Sequence, residues 1–287
     1  MIRSATLGRH GRERAPLRTV YAASAAALSL TLAIPVRPAC AQDKKPDVVP
    51  PIVFQAAGPT ADSIQSTVDA FRSALGDPNN GNNAQAFETG RREINWDGGG
   101  VDTTTDPVTP FNVFLNTRGA QFTTRGAGLS QAPPSGGEQN GLVGLFSNPT
   151  YGATFSAFSA KRLFTPVGSN FTKGLFFVPG TNGGDPATVT GFGAVFTDVD
   201  RPDGRTHRNP STLIEYFGAD GSLLLRSFVP ASQGDGSLSF FGIMFSDALI
   251  AQVRIHAGDV APGPDDDRRH DIVMMDDFIY GEPQPLP

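Results

Sequence analysis

Carboxylate side chains gather directly after one strongly apolar stretch of the chain. Residues 191–197 alternate as a β-strand, and Asp198, Asp200 and Asp203 follow it, with Gly204 closing the turn. Oxygen ligands at nearly alternate positions before a glycine are typical of calcium loops, because Ca²⁺ takes six to eight oxygens from a tightly turned backbone. The spacing departs by one residue from the regular form, so a plain acidic turn is the simpler interpretation. A calcium site at these three carboxylates is the hypothesis to test.

A second pair of carboxylates, Asp276 and Asp277, lies within the closing apolar stretch of residues 272–280. Successive side chains of a regular strand point to opposite faces, so at least one of the two must face an apolar layer. A buried carboxylate needs a cation or hydrogen-bond donors, because its charged form loses its hydration. A calcium ion would serve. The simpler interpretations are an arginine partner, Arg162 or Arg254, or a β-bulge that turns a carboxylate toward water.

Trp96 is the only tryptophan, and its indole would stack on a sugar ring if one face were exposed. A single tryptophan in a strand is more often part of the core. Glu93 and Asp97 flank it and have the residue types of a glycosidase pair, although such pairs are common. No zinc-ligand spacing, nucleophile elbow or phosphate-binding glycine loop occurs in the sequence. We therefore predict a protein that is not an enzyme.

These residues need a scaffold, and the sequence predicts one made mostly of short strands. In the second half of the chain, alternating stretches separated by turns recur near 189–197, 211–217, 222–229, 237–245, 249–257 and 271–280. Earlier strands are expected near 90–98, 111–115, 121–124, 151–158 and 171–178, with a loop over 126–141. Many short strands with Gly-rich turns are typical of a two-sheet antiparallel β-sandwich, an all-β fold.

One short N-terminal helix is predicted over residues 60–75. Ile64, Val68, Phe71 and Leu75 recur at the spacing of one helix face, and the other positions are mostly polar. An amphipathic helix of this kind covers an apolar patch of another element.

The first 41 residues have the pattern of a cleaved secretory signal. A leader with five arginines precedes the apolar run from Val20 to Ile34, and Ala39-Cys40-Ala41 supplies the small residues that a signal peptidase recognises. The run is too short to span a membrane comfortably, so no transmembrane segment is expected in the mature chain. Cleavage after Ala41 removes the only cysteine and leaves a protein without disulfides. We predict export to the periplasm, the cell surface or the medium.

The rest of the chain is predicted to form one domain. An extended linker over 42–59 leads to a helix and turn-rich segment over 60–83, a β-sandwich domain over 84–281 and a C-terminal tail over 282–287. Of the 23 basic and 28 acidic residues, 17 and 27 lie after the leader, which gives a net charge near −10. This charge disfavours nucleic acid and anionic membranes as partners and favours cations.

Several stretches of the chain fit one recurring pattern of strands and turns. They are Gly191-Phe-Gly-Ala-Val-Phe196, Ile214-Glu-Tyr-Phe217 before Asp220-Gly221, Leu238-Ser-Phe-Phe-Gly-Ile-Met-Phe245, Ile250-Ala-Gln-Val-Arg-Ile255 and Met275-Asp-Asp-Phe278. Upstream, Ile94-Asn-Trp-Asp97 and Gly119-Ala-Gln-Phe-Thr-Thr124 match the opening strands. Together they resemble the jelly-roll modules of exported bacterial proteins, including those with PEP-CTERM sorting tails. The resemblance implies a jelly-roll sandwich of the carbohydrate-binding-module type over residues 90–281. The end of the chain lacks the apolar span of such tails, so membrane-sorted anchoring is not expected.

The predicted function is that of a non-catalytic surface or extracellular module, which binds carbohydrate or another cell-surface polymer, or mediates adhesion, with stabilisation by calcium. A structural matrix or envelope protein without a small ligand is the alternative. An enzyme acting on polysaccharide is the third possibility, because a fold does not determine a function. The oligomeric state is not specified by the sequence.

Overall fold

The structure, a computed structural model, describes residues 49–100, 102–136, 140–201, 211–264 and 269–286. Strands make up most of its regular elements. They are β1 (Ile52–Gly58), β2 (Arg91–Ile94), β3 (Ala120–Thr124), β4 (Gly128–Ala132), β5 (Leu163–Val167), β6 (Phe171–Phe176), β7 (Ala187–Thr188), β8 (Gly191–Thr197), β9 (Leu213–Phe217), β10 (Leu223–Phe228), β11 (Leu238–Met244), β12 (Gln252–His256), β13 (Met274–Gly281) and β14 (Gln284–Pro285). The helices are α1 (Ala61–Leu75), α2 (Leu115–Arg118), α3 (Gly141–Phe146) and α4 (Tyr151–Thr154).

The strands form two main antiparallel sheets. The seven-stranded sheet has the order β1-β11-β8-β13-β5-β4, and β2 pairs with β13 beside β5. The five-stranded sheet has the order β10-β9-β12-β6-β3, and β7 pairs with β14 in a separate ribbon. The described chain is therefore an all-β fold of antiparallel sheets, as its strand pattern predicts.

The main apolar core lies between the two sheets. Phe192 of β8 and Phe278 of β13 meet Phe122 of β3 and Tyr216 of β9, and all four side chains are fully buried. Their rings contact one another edge-on, with centroid distances of 5.3 Å for Phe192–Phe278 and 5.4 Å for Phe122–Phe278. Alternating apolar positions on strands of both sheets thus supply the two halves of one core.

The outer face of the seven-stranded sheet is covered by α1, which confirms the predicted helix and its buried face. Ile64, Val68, Phe71 and Leu75 are its buried residues. Gly193 of β8 is what lets the helix approach, because a Cβ there would lie 2.8 Å from the Phe71 ring. A glycine in a strand interior often marks such a close approach. Farther along the same face, residues of α3 and α4 pack on β4, β5 and β13.

Several predicted boundaries are wrong, each for a physical reason. Residues 52–58 of the predicted linker form β1, whose seven residues all pair with β11. The predicted tail contains β14, and it is fixed by Glu282, whose carboxylate binds the buried Arg92. Residues 151–158 begin with α4 instead of a strand, and residues 126–141 contain β4 instead of only loop. Within 111–115 only Phe111 makes a bridge, to Phe122.

The described segments contain four helices, and the thickness of a lipid bilayer sets the length that a spanning helix needs. None of them is long and apolar enough to cross it.

Candidate functional site

The two carboxylates of the closing strand lie at a β-bulge. Asp276 is opposite Val195 and Phe278 is opposite Ala194, so Asp277 is an extra residue on β13. The predicted alternation over 272–280 is therefore broken at this point. Phe278 points into the core between the sheets, whereas the partners of Asp276 and Asp277 all lie on the outer side of the seven-stranded sheet.

Asp276 is fully buried and is held by backbone donors. Its Oδ2 accepts hydrogen bonds from Phe158 N (2.7 Å) and Ser159 N (3.3 Å), and its Oδ1 accepts one from Asp277 N (2.8 Å). Burial raises the pKa of Asp276 well above its ordinary value, and the neighbouring Asp277 raises it further. The carboxyl group thus fastens the 158–159 segment to the sheet.

Asp277 forms an ion pair with the helix that covers the sheet. Arg72 Nη2 donates to Asp277 Oδ2 (3.2 Å), and Ser159 Oγ donates to Asp277 Oδ1. Burial raises the pKa of Asp277, and Arg72 acts against that rise. An arginine partner and a bulge both occur here, but the arginine is neither Arg162 nor Arg254. Arg162 donates instead to backbone carbonyls, including that of Trp96.

A cleft of about 270 Å³ lies beside this ion pair. Glu93 and Asp277 line it from opposite elements, as a catalytic pair would. Arg72 lies between them, however, and Arg91 Nε donates to the second Glu93 oxygen at 2.7 Å. The carboxylates of Glu93 and Asp277 therefore bind Arg72 and so connect α1 to β2 and β13. Asp97 lies elsewhere, where its Oδ1 accepts hydrogen bonds from the backbone of residues 161 and 162.

The turn after β8 uses its polar groups to join neighbouring segments. Asp198 N donates to Ser237 O (2.9 Å), and Asp200 N donates to Asp271 Oδ2 (2.9 Å). Burial raises the pKa of Asp271 to about 7. The sequence analysis does not identify Asp271. The one sequence feature that suggests its burial is its position directly before the apolar residues 272–275.

Asp203 of the predicted calcium turn lies outside the described residues. In the described ranges, no three His, Cys, Asp or Glu side chains come together as a metal-ligand set. Calcium binding at Asp198, Asp200 and Asp203 stays a prediction. For Asp276 and Asp277, the donors already present satisfy both carboxylates.

Trp96 belongs to the core and cannot stack on a ligand, so its predicted role is wrong. Its side chain is 0% exposed and lies parallel to Phe164, with ring centroids 3.7 Å apart. The rings of Phe122 and Phe278 contact it edge-on. Stacking on a sugar would require one free face, and both faces are covered by protein.

The outer face of the five-stranded sheet carries a row of charged residues that crosses four strands. Residues directly opposite each other in antiparallel strands share a face. Because Val253 and Ile255 point into the core, Arg254 between them points outward. The register then places on the same face, in order across the sheet, Arg226, Glu215, Arg254 and Lys173. We call these four residues the charged row.

Aromatic rings border the charged row on both sides. The Arg254 guanidinium lies 4.3 Å from the centroid of the Phe217 ring. On the other side, the Arg125 guanidinium lies 4.2 Å from the Phe171 ring, which His256 also contacts at 5.1 Å. In each contact the ring face attracts the cation and holds it in place.

The electrostatics of this face are positive. Arg125, Lys173, Arg226 and Arg254 meet a single carboxylate, Glu215. The ion pair between Arg226 Nε and Glu215 Oε1 is long at 3.7 Å, and the arginine side chain is 59% exposed. Within the described part of the chain, neither Lys173 nor Arg254 forms an ion pair.

His256 lies among the same positive charges. Burial lowers its pKa, and Arg125, Arg226 and Arg254 lower it further against the opposing effect of Glu215. The register places His256 on the same outward face of its strand as Arg254.

Comparison with protein-family models, with curated proteins and with solved structures finds no match.

The five-stranded sheet differs from its partner in what lies on its outer face. None of the three apolar clusters among the described residues includes the outward side chains of β6, β9 or β12. Alongside the charged row, on the side of the β9–β10 turn, lies a cleft of about 200 Å³ that is lined by Phe217, Gln252 and Arg254. Two apolar side chains on edge strand β10, Leu223 and Phe228, are 53% and 40% exposed. The outer face therefore offers charged, polar and apolar groups together.

Proposed function

We propose that this protein is an exported, non-catalytic carbohydrate-binding module, and that it binds its ligand on the outer face of the five-stranded sheet. The observation that carries the proposal is the open sheet face, where Phe217 and Arg254 stack beside a cleft. Sugars present apolar C–H faces and hydroxyl groups, which aromatic or aliphatic side chains and charged donors respectively bind. The outward Gln252 adds an amide to the same surface.

We propose further that the sandwich is a jelly roll, a fold of eight strands in two Greek keys that lectin domains also use. The strand order supports this. Four strands of one sheet run β5-β13-β8-β11, and four of the other run β6-β12-β9-β10. Apart from the short ribbon strand β7, the chain changes sheet at every connection from β5 to β13 except β9–β10. An eight-stranded jelly roll, which places two Greek keys over two sheets, has this connectivity.

Export rests on the signal-like leader of residues 1–41. The expected mature protein begins at Gln42, and its mass, measured from the culture medium or the periplasm of a bacterial host, tests this. A protein that stays in the cytoplasm with its leader intact would contradict export.

Calcium stabilisation is retained as a proposal for the Asp198–Asp203 turn alone. If calcium binds there, the protein melts at a higher temperature with calcium than with a chelator, and Asp200→Asn removes the difference. Equal melting temperatures in the two conditions would refute it.

Binding is tested by screening the protein against a panel of neutral and acidic polysaccharides. We expect retention by at least one of them, and loss of that retention in the double variant L223A/F228A. The matched control is V53A/V113A, which removes two exposed apolar side chains elsewhere on the surface. Retention unaffected by L223A/F228A would move the site away from this face. If no polysaccharide retains the protein, carbohydrate binding is refuted, and the alternative of a structural protein without a small ligand remains.

A further inference from the structure

We infer that the ligand of the five-stranded sheet is an acidic polysaccharide, one whose sugars carry carboxylate or sulfate groups. The inference rests on the proposed function and names the chemical class of its ligand.

The charge of the sheet face is opposite to that of the chain as a whole. The protein carries a net charge of −5, yet the outer face gathers Arg125, Lys173, Arg226 and Arg254 around one carboxylate. At physiological ionic strength, charges more than about 8 Å apart are largely screened, so a bound group experiences the local cations and not the net charge. A concentration of cations on one face attracts polyanions to that face.

The cations also form a line. Neighbouring strands lie about 4.8 Å apart, so the backbone positions of Arg226 and Arg254, which are two strands apart, are separated by about 10 Å. The backbone of Lys173 lies about 5 Å farther along the same line. The line runs perpendicular to the strands and is bordered by the ring of Phe217 on one side and the ring of Phe171 on the other. A linear polymer with a negative group on successive sugars fits this arrangement, because its charges and its rings both repeat along one direction.

Arg254 is the centre of the line and is prepared for an anion. Its guanidinium is packed against Phe217, and it has no carboxylate partner among the described residues. A planar guanidinium fixed in this way presents paired N–H donors, which match the two oxygens of a carboxylate or sulfate. The guanidinium of Arg254 is therefore available to pair with an anionic group of a ligand.

Glu215 gives the inference its sharpest test. It lies between Arg226 and Arg254 in the charged row and repels a polyanion. Glu215→Gln removes one repulsive charge and adds no cation. Tighter binding to an acidic polymer is therefore expected, and a purely structural role of Glu215 would not produce it.

The experiment measures binding by affinity electrophoresis and calorimetry. The probes are polygalacturonate, dextran sulfate, neutral dextran and single-stranded DNA. We expect polygalacturonate or dextran sulfate to bind, with an affinity that falls as salt rises. Which of the two binds more tightly assigns carboxylate or sulfate as the preferred group. Arg254→Gln and Lys173→Gln should each weaken binding about tenfold, since a hydrogen bond to a charged group is lost. Lys161→Gln, an exposed lysine paired with Asp102, is the control and should leave binding unchanged.

The outcomes separate this inference from the proposed function. Binding of neutral dextran alone, or binding that Arg254→Gln and Glu215→Gln leave unchanged, would overturn the acidic ligand and keep carbohydrate binding. Equal affinity for DNA would overturn it in favour of general polyanion binding. Retention by no polysaccharide would overturn both.

Discussion

Neutralising Glu282 should destabilise the protein strongly, although the residue lies near the end of the chain. Its carboxylate is bound by the Nε and Nη2 of Arg92, the latter at 2.6 Å from Oε1, and Arg92 is 0% exposed. Glu282→Gln keeps the shape of the side chain but leaves the guanidinium charge buried without its counter-ion. Removing one partner of a buried pair costs about 3–5 kcal/mol.

The remaining contacts of Arg92 place the expected loss at the lower end of that range. Its Nη1 still donates to the carbonyls of Gly81 (3.0 Å), Asn83 (2.8 Å) and Thr117 (2.9 Å), which partly solvate the charge. We expect a loss of about 3 kcal/mol in the free energy of unfolding. In a protein of this size each kcal/mol lowers Tm by about 2–4 °C, so Tm should fall by about 6–12 °C.

Urea unfolding followed by the fluorescence of the single, buried Trp96 measures this loss. The midpoint should fall while the m-value stays constant. Glu88→Gln, which neutralises an exposed glutamate of the same region, is the matched control and should change stability by less than about 0.5 kcal/mol. The double variant R92M/E282M should lose less than the sum of its single variants, because no unpaired charge remains. A Glu282→Gln protein within about 1 kcal/mol of wild type would refute the reasoning.

Three further predictions concern the core and the turn after β8. Asp271 has a folded pKa of about 7, above its ordinary 3.8, so the folded state holds a proton that the unfolded state releases, and stability falls as pH rises from about 4 to about 7. Asp271→Asn should therefore be more stable than wild type at pH 8 and equal to it only below about pH 3, where both states are protonated. Parallel profiles of Tm against pH would contradict this. Gly193→Ala should cost about 1–3 kcal/mol in chemical unfolding, because the new methyl group would press on Phe71, and an unchanged midpoint would contradict the close packing of α1. Trp96→Ala should lower the free energy of unfolding by about 3–5 kcal/mol, and the molecules that remain folded should bind glycan with unchanged affinity. Loss of binding with unchanged stability would instead show that Trp96 stacks on the ligand.

The sequence predicts regular elements well where one periodicity dominates. The face of α1 at Ile64, Val68, Phe71 and Leu75 is confirmed because the spacing of these residues repeats without interruption. The strands from β8 to β13 lie within or close to their predicted ranges for the same reason. β13 shows the limit of this reasoning, because a single extra residue at Asp277 reverses the face of every side chain beyond it.

Elements that depend on distant partners could not be predicted. β1 is an edge strand after two prolines, with Ile52 and Val53 both exposed, so its sequence shows no alternation. Only its pairing with β11 makes it a strand. The buried pair of Arg92 and Glu282 joins residues 190 positions apart, and no local pattern reveals such a contact.

The candidate site was hidden from the sequence for a related reason. Lys173, Glu215, Arg226 and Arg254 each lie near the middle of a separate strand, where a single charge only indicates a half-exposed strand. The charges become one row through the register of β10, β9, β12 and β6, which the sequence does not encode locally. Only the pairing pattern shows that four strands place their charges side by side.

The charged row also explains why the two sheets have different outer faces. α1 covers the seven-stranded sheet because the outward side chains there, including Val195, Phe240 and Ile279, are apolar. A covering layer over the five-stranded sheet would have to bury Lys173 and Arg254, and a buried charge without a partner is costly enough that proteins avoid it. The strand sequences thus require this face to remain in contact with water or with a charged ligand. This face must therefore stay uncovered by the protein itself whatever its ligand is, and a binding surface has to be uncovered.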